Sequence, residues 1–247
     1  MKVFSVLGRS KTGKTTTIEI IIRELIRRGY TVGSVKDIHF EQFAIDTEGT
    51  NTFRHRQAGA EPVTARGGRE TDVLFGARLS LEQTLGFYHQ DYVVLEGADE
   101  PGIPKIVTGD TAEELDELAD AFTFAVSGKI SARIKEYKGI PAIDATAGPA
   151  ELVDLIEQKV YDRLPMADEA CCQLCGFDCI TLGQRILAGE SSRDDCRMMK
   201  KVSLRIDGRE LEMVPFVQQI LKNAVRGVAG ELKGYQKGRV QVEFYDE

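Results

Sequence analysis

The stretch Gly8-Arg9-Ser10-Lys11-Thr12-Gly13-Lys14-Thr15, "GRSKTGKT", decides the fold of this chain. It fits the pattern G-x-x-x-x-G-K-[ST]. A loop that wraps a polyphosphate must turn its backbone N–H groups toward phosphate oxygens, and glycines remove the steric obstacle to that turn. The helix that follows aims the partial positive charge of its N-terminus at the same anion. The flanking sequence supplies the required context. Residues 2–7, "KVFSVL", read as a buried strand. In "KTTTIEIIIRELIRRG", Ile18, Ile21, Ile22 and Leu25 share one helical face, with Arg and Glu opposite and Gly29 as the expected stop. "YTVGSVKDI" is then a second strand. Strand, loop, helix and strand in that order begin a parallel sheet with a crossover helix.

The expected nucleotide-binding residues are therefore Gly8, Ser10, Lys11, Thr12, Gly13, Lys14, Thr15 and Thr16. Lys14 would reach the β- and γ-phosphates, and the Thr15 hydroxyl would ligate Mg²⁺. Such a site also wants an acid from a second strand. "YVVLEG" offers Glu96 at the end of an apolar run, as the residue that would hold the ion through water; a strand-end carboxylate that merely faces solvent is the plainer reading. Asp37 and Asp46, after the second strand, are further candidates for placing an ion or a water, against the plain reading of solvated loop acids.

Further along, strands are expected at 60–66, 71–76, 91–97, 105–109 and 121–128, and helices at 79–88 and 111–120. The second of these helices has a Thr cap followed three residues later by Glu. "GIPAIDAT" reads as a last short strand, and "GPAELVDLIEQKVYDRL" as a last helix with Pro149 in its first turn. "PMADEA" (165–170) breaks the pattern as a linker. After it come a cysteine segment, the hairpin "KVSLRIDGRELEMV" with its Asp207–Gly208 turn, a helix from Pro215, and "RVQVEFY" as a final strand. The expected organisation is a P-loop nucleotide-binding domain over 1–164, a linker and cysteine segment over 165–200, and a small β-β-α-β module over 201–247. The fold class is α/β: a P-loop NTPase with a mostly parallel sheet flanked by helices, plus a small C-terminal α+β iron–sulfur module.

Composition narrows the function classes. The 247 residues are 42% hydrophobic and 29% charged, which is ordinary for a globular chain. A net charge of −7 argues against nucleic-acid binding through a general basic surface. The longest apolar runs fall far short of the roughly 20 residues of a membrane span, and a glycine comes too early for a signal-peptide apolar region. A cytoplasmic location is expected, with neither a membrane nor a nucleic acid as partner.

Residues 1–164 resemble the molybdopterin-guanine dinucleotide biosynthesis protein B (MobB) family. The resemblance rests on "GRSKTGKTTTIEIIIRELIRRGYTVGSVK", on "IDTEGTNTFRHRQAGA", and on "YVVLEG" followed by "PKIV". It implies a dimeric P-loop nucleotide binder. It also implies a GTP-binding accessory factor that assists a partner molybdopterin nucleotidyltransferase in adding a guanosine nucleotide to molybdopterin. The chain departs from the family pattern in places. "KDIHF" has Asp37 where the family has a His, "EGAD" lacks a family Lys, and "VSGK" (126–129) stands at the strand end that would bind the base. GTP is thus the nucleotide the resemblance implies, with ATP the other choice. Arg54, His55, Arg56, Arg66 and Arg69 could meet an anionic pterin phosphate, or could be solvated helix and loop cations.

The segment "CCQLCGFDC" packs four of the five cysteines into nine residues, and Cys196 follows. From Cys172 the spacing is C-x2-C-x3-C-x16-C, through Cys175, Cys179 and Cys196. Three thiolates on a tight loop and one from farther away suit a [4Fe–4S] cluster. Zinc is the rival, but ribbon-type zinc sites present two C-x2-C knuckles and only one is found here. Cys171 could replace Cys172. "CQLCGFDCITLGQRILAGESSRDDC" also resembles the small iron–sulfur motif of corrinoid iron–sulfur proteins and ferredoxin-linked ion-pumping oxidoreductases, with one residue fewer between its second and third cysteines.

Lys14 and Glu96 are the catalytic candidates, with Thr15, Glu96 and Asp46 around Mg²⁺. No arginine finger or general base declares itself in the sequence, so NTP turnover is expected to be slow. Two other readings stand beside the accessory role: a nucleotide-gated iron–sulfur cluster carrier or scaffold, and a redox-sensing binding module.

Overall fold

The computed structural model describes residues 1–40, 42–166, 175–196, 202, 204–206, 209–211, 213–235, 240 and 242. The chain divides into two compact units, Met1–Arg163 and Leu164–Glu247.

In chain order, the first unit contains β1 (Lys2–Gly8), α1 (Lys14–Arg27), β2 (Val32–Lys36), α2 (Asn51–Gln57), β3 (Val63–Arg66), β4 (Thr71–Leu74) and α3 (Leu81–Leu85). It continues with β5 (Tyr92–Glu96), β6 (Lys105–Thr108), α4 (Ala112–Leu118), β7 (Thr123–Ser127), β8 (Glu136–Tyr137), β9 (Ile140–Pro141) and α5 (Pro149–Lys159). The main sheet has the order β2-β5-β1-β6-β7. Every neighbouring pair in it is parallel. Parallel sheets are covered on both faces, so their strands read as apolar runs rather than as alternations. β1 bears this out: Val3, Phe4, Val6 and Leu7 are all buried. So does β5, where Tyr92 through Leu95 are buried.

Placing β5 between β1 and β2 has a functional consequence. All five strands point the same way, so the residues after β1, β2, β5, β6 and β7 gather along one edge of the sheet. In open α/β sheets this carboxyl edge is where ligands bind.

α1 buries Ile18, Ile21 and Leu25, with Ile22 half-buried. Glu24 lies on the same side rather than facing solvent, its side chain 8% exposed. It is accommodated because it accepts hydrogen bonds from Arg27 Nε at 2.7 Å and Arg28 Nε at 2.9 Å. Arg28 also reaches α5, donating to Asp154 and Glu157 at 2.7 Å each and to Ala150 O at 2.9 Å. Glu24 and Arg28 thereby tie the helix that follows the phosphate loop to α5.

The helix expected at 79–88 shortens to α3, begun by a Ser80–Gln83 capping box. The expected strands at 60–66 and 71–76 become β3 and β4, an antiparallel pair of their own outside the main sheet. "GIPAIDAT" yields only the two-residue β9 and a bridge from Ala142 to Val126. α5 stops before "YDRL", because Val160 is already extended and Asp162 bridges to Lys2.

The second unit contains α6 (Cys179–Ala188), β10 (Leu204–Ile206), β11 (Arg209–Leu211) and α7 (Pro215–Gly230). β10 and β11 pair antiparallel with Ile206 opposite Arg209, as expected of a hairpin; Asp207 and Gly208 lie outside the described residues. α7 starts with Pro215 in its first turn. The strand expected over 239–245 falls almost wholly outside the described residues. Among the described residues no helix is long and apolar enough to cross a membrane.

The Arg27 and Arg28 hydrogen bonds hold the Glu24 carboxyl at a pKa of about 2, below its ordinary 4.5. A depressed folded-state pKa contributes stability that is complete above the unfolded value and disappears as pH falls through the folded one. Glu24→Gln should therefore melt below the wild type at pH 7. The two thermal midpoints, followed by circular dichroism, should converge between pH 4.5 and 2.

Candidate functional site

The phosphate loop is held in shape from below. Thr108, the last residue of β6, donates from Oγ1 to Leu7 O at 3.0 Å, and its oxygen lies 2.8 Å from Thr12 Oγ1. Thr12 Oγ1 also lies 2.9 Å from Arg9 O, so its single proton is shared between that carbonyl and Thr108. Both threonines are buried. Gly8 packs so closely here that a Cβ would sit 2.2 Å from Thr108 Oγ1. On the far side Gly13 (φ 107) faces Gly128 (φ 76) just after β7. A Cβ on Gly128 would meet Thr12 O at 2.3 Å, and one on Gly13 would meet Gly128 Cα at 3.1 Å. Lys129 N donates to Thr12 O at 3.1 Å and closes the contact. Lys11, at the crown of the loop, takes φ 65, a left-handed conformation that costs a non-glycine residue about 1–2 kcal/mol.

Above this loop, along the carboxyl edge, opens a cleft of ≈ 1190 Å³, roomy enough for a nucleoside triphosphate. Gly8, Ser10, Lys11, Gly13, Lys14, Thr15 and Thr16 line it. Thr12 belongs to the same loop but turns its side chain inward to Thr108, so any contribution to a ligand would come from its backbone.

Lys14 Nζ donates to Gly8 O at 2.7 Å and Arg9 O at 2.6 Å. Burial lowers its pKa, Lys36 adds to the effect, and Glu96 opposes it. Glu96, ending β5, accepts from Thr15 Oγ1 at 3.0 Å and from Lys36 Nζ at 2.6 Å, both on Oε1. The Thr15 hydroxyl and the Glu96 carboxylate thus share one spot at the sheet edge. Two oxygen donors beside a phosphate cradle are the set a hard divalent cation takes, and the pair fits Mg²⁺.

Asp37 also reaches the cleft; its N–H donates to Glu96 O at 2.9 Å. Asp46 does not line it. Its Oδ1 accepts from the hydroxyls of Thr50 at 2.6 Å and Thr52 at 2.9 Å and from Thr47 N at 3.1 Å. Arg56 lies 3.6 Å from Oδ2. The Thr50 hydrogen bond, then Thr52, Arg56 and the Thr47 N–H, hold its carboxyl below the usual range although burial works the other way. Asp46 is therefore occupied in shaping the turn before α2. α2 itself carries Arg54, His55 and Arg56 and ends near Gly59 (φ 99). Arg66 closes the β3–β4 pair opposite Thr71, and neither it nor Arg69 lines the cleft.

Two lining groups carried no local signal in the sequence. Lys36 ends β2, and Arg78 arrives from the segment between β4 and α3. Only the sheet order puts Lys36 beside Glu96, and only the chain path puts Arg78 beside Asp37. The other end of the cleft holds Gly128, Lys129, Ala132, Asp144, Ala145 and Thr146. Asp144 Oδ1 accepts from Thr146 Oγ1 at 2.7 Å and Thr146 N at 2.9 Å, bonds that lower its carboxyl pKa.

In the second unit Asp178 caps α6, accepting from Thr181 N at 2.7 Å. This puts Cys179 in the first helical turn, where the helix dipole favours a thiolate. Cys175 is half-buried and precedes Gly176 (φ 81), while Cys196 follows a 3₁₀ turn at Arg193–Asp195 and is buried. Cys171 and Cys172 lie outside the described residues. Among the described residues no three His, Cys, Asp or Glu side chains are gathered into a group that could hold a metal ion. The described thiols do not by themselves form the expected centre.

The model of the family described as molybdopterin guanine dinucleotide synthesis protein B matches residues 3–126, half of the chain. Over 253 aligned residues the chain is 28% identical to a putative molybdopterin-guanine dinucleotide biosynthesis adapter protein of Methanocaldococcus jannaschii, covering 99% of this chain and 97% of that one. It is 26% identical over 147 residues to a probable adapter protein of the same name from Bacillus subtilis, covering 58% of this chain and 85% of the relative. The crystal structure of Bacillus subtilis MobB superposes with a TM-score of 0.55 at 25% identity, over 66% of this chain and all of that one. The chain belongs to the molybdopterin guanine dinucleotide synthesis protein B family.

Proposed function

We propose that this protein is a nucleotide-binding adapter of molybdopterin guanine dinucleotide biosynthesis. In this reading it binds GTP with Mg²⁺, hydrolyses it slowly at most, and acts as a homodimer on a partner molybdopterin nucleotidyltransferase. The observation that carries the reading is the loop Gly8–Thr15 locked against Thr108 and Gly128 at the mouth of the cleft. The family's name and the Methanocaldococcus relative, which aligns over nearly the whole chain, support the adapter role. The loop N–H groups and Lys14 would grip the phosphates. Thr15 and Glu96 would hold Mg²⁺, whose part is to neutralise charge between the β- and γ-phosphate oxygens. Asp46, engaged with Thr50 and Thr52, would take no direct part. ATP remains the other nucleotide, and the far end of the cleft around Asp144 would make the choice.

The cysteine spacing supports a thiolate-held centre in the second unit, with iron–sulfur preferred to zinc. No step of the adapter role runs through it. Were it labile or oxygen-sensitive, the chain would instead be a nucleotide-gated cluster carrier or a redox-sensing module.

Three outcomes are expected. Lys14→Ala and Gly128→Ala should each lose triphosphate affinity by at least about tenfold in calorimetric titration, the first by removing a charge-assisted contact and the second by forcing Thr12 and the loop apart. In a reconstituted assay at low substrate, the protein should raise the yield of guanylated pterin made by the transferase; an unchanged yield and rate would remove the adapter role. Protein prepared without oxygen should carry about four irons per chain and little zinc, counted by elemental analysis; iron-free protein would remove the cluster.

A further inference from the structure

Resting on the nucleotide-binding reading of the cleft, we infer that Arg78 is a γ-phosphate recognition residue, held on Asp37 and transferred to the triphosphate when it binds.

The two members of this ion pair are held very differently. Asp37 directly follows β2 and is pinned to β5 by its N–H bond to Glu96 O at 2.9 Å. Its side chain is 19% exposed. Arg78 comes from an irregular segment, its side chain is 71% exposed, and it lines the cleft. Its Nη2 donates to both carboxylate oxygens of Asp37, each at 2.9 Å. One nitrogen thus serves the whole pair, and the guanidinium's fork is not used up in it.

The position is the one a terminal phosphate would approach. Asp37 bonds to Glu96, Glu96 bonds to Thr15, and Thr15 neighbours Lys14. Lys36 lies on Glu96 and Lys14 on Gly8 O and Arg9 O, so both belong to the sheet edge and the loop themselves. Arg78 is the one that arrives from outside both.

Magnitudes favour the transfer. With its side chain 71% exposed, the pair gains little from holding Arg78 in place, on the order of 1 kcal/mol. A guanidinium engaging phosphate oxygens through two charge-assisted bonds, in a cleft narrowed by its ligand, is stronger than that. A diphosphate lacks the terminal group this assignment gives to Arg78, so on this reading it leaves the ion pair with Asp37 in place. The residue therefore distinguishes triphosphate from diphosphate, and so reports the state of the nucleotide to the segment ahead of α3.

The test is calorimetric titration of the full chain with Mg²⁺ and either a non-hydrolysable guanosine triphosphate analogue or GDP. Arg78→Gln should weaken the triphosphate analogue by about tenfold and leave GDP within about twofold of wild type, which also reports that the variant is folded. Asp37→Asn, which releases the guanidinium, should tighten the analogue and not GDP, and the gain should vanish in the Asp37→Asn/Arg78→Gln double variant. Equal losses on both nucleotides, no loss with Arg78→Gln, no gain with Asp37→Asn, or a gain that persists in the double variant would each overturn the assignment. Wild-type protein that bound neither nucleotide would instead overturn the reading of the cleft beneath it.

Discussion

The buried contact between Thr12 and Thr108 governs the rest of the site. The phosphate loop is a stretch of backbone with few side-chain anchors, and without one it would sample many shapes. One hydroxyl pair at 2.8 Å, in which Thr108 Oγ1 donates to Leu7 O and is left to accept from Thr12 Oγ1, fastens the loop to the end of β6. The contact is buried, so breaking it would leave hydroxyls without water, at a cost of about 1–3 kcal/mol for each unsatisfied group. At Gly8 and Gly128 loop and sheet come too close for a Cβ, and Gly13 takes φ 107, a conformation that L side chains rarely adopt. A cradle with this much built-in order has less conformational entropy to lose when an anion enters it.

That order descends from the strand arrangement. β6 lies beside β1, so Thr108 comes under the loop that leaves β1. β5 lies on the other side, so Glu96 comes beside Thr15. β2 lies beyond β5, so Lys36 reaches Glu96. β7 contributes Gly128 from beyond β6. Residues from five separate stretches meet because every strand runs in the same direction. Reversing any one of them would send its terminal residue to the opposite edge, about the length of a strand away.

How much of this was legible in the sequence follows from which interactions are local. The phosphate loop, β1, α1 and β5 were readable because pattern and periodicity are local properties, and so was the β10–β11 hairpin. Glu24 was not. It falls on the polar side of α1 in the helical pattern, and only the approach of α5 and the position of Arg28 bury it. Asp46 looked like an ion ligand because an acid in a loop after a second strand has that appearance. Its engagement with Thr50 and Thr52 is also local, and the threonines four and six residues on were the available signal. Arg78 could not have been found at all. It stands 41 residues from Asp37 in a segment without periodicity, and chain path alone joins the two.

The charge of the cleft shows why composition was a poor guide to the ligand. The chain carries a net charge of −7, yet the cavity is balanced: Lys11, Lys14, Lys36, Arg78 and Lys129 line it together with Asp37, Glu96, Asp99, Glu100 and Asp144. Surface charges farther than about 8–10 Å away are screened at physiological ionic strength, so an entering anion meets the local set and not the total. Within that set the carboxylates of Glu96 and Asp37 are each covered by a cation, Lys36 and Arg78. Bare carboxylates beside the loop would repel a triphosphate. In the proposed reading, covered ones would let it approach, and Glu96 would remain at hand for a divalent ion as Lys36 turned to the phosphates. The cleft can exchange partners in this way because its ion pairs sit at a solvated edge, where they are weak. Lys105 is arranged the other way round: the cation is the buried member, 4% exposed, and it is held by two half-exposed carboxylates, Asp99 and Asp120. If the cleft takes a triphosphate as proposed, the exposure of Lys36 and Arg78 on carboxylates that stay fixed would keep low the energy needed to hand a cation from protein to ligand.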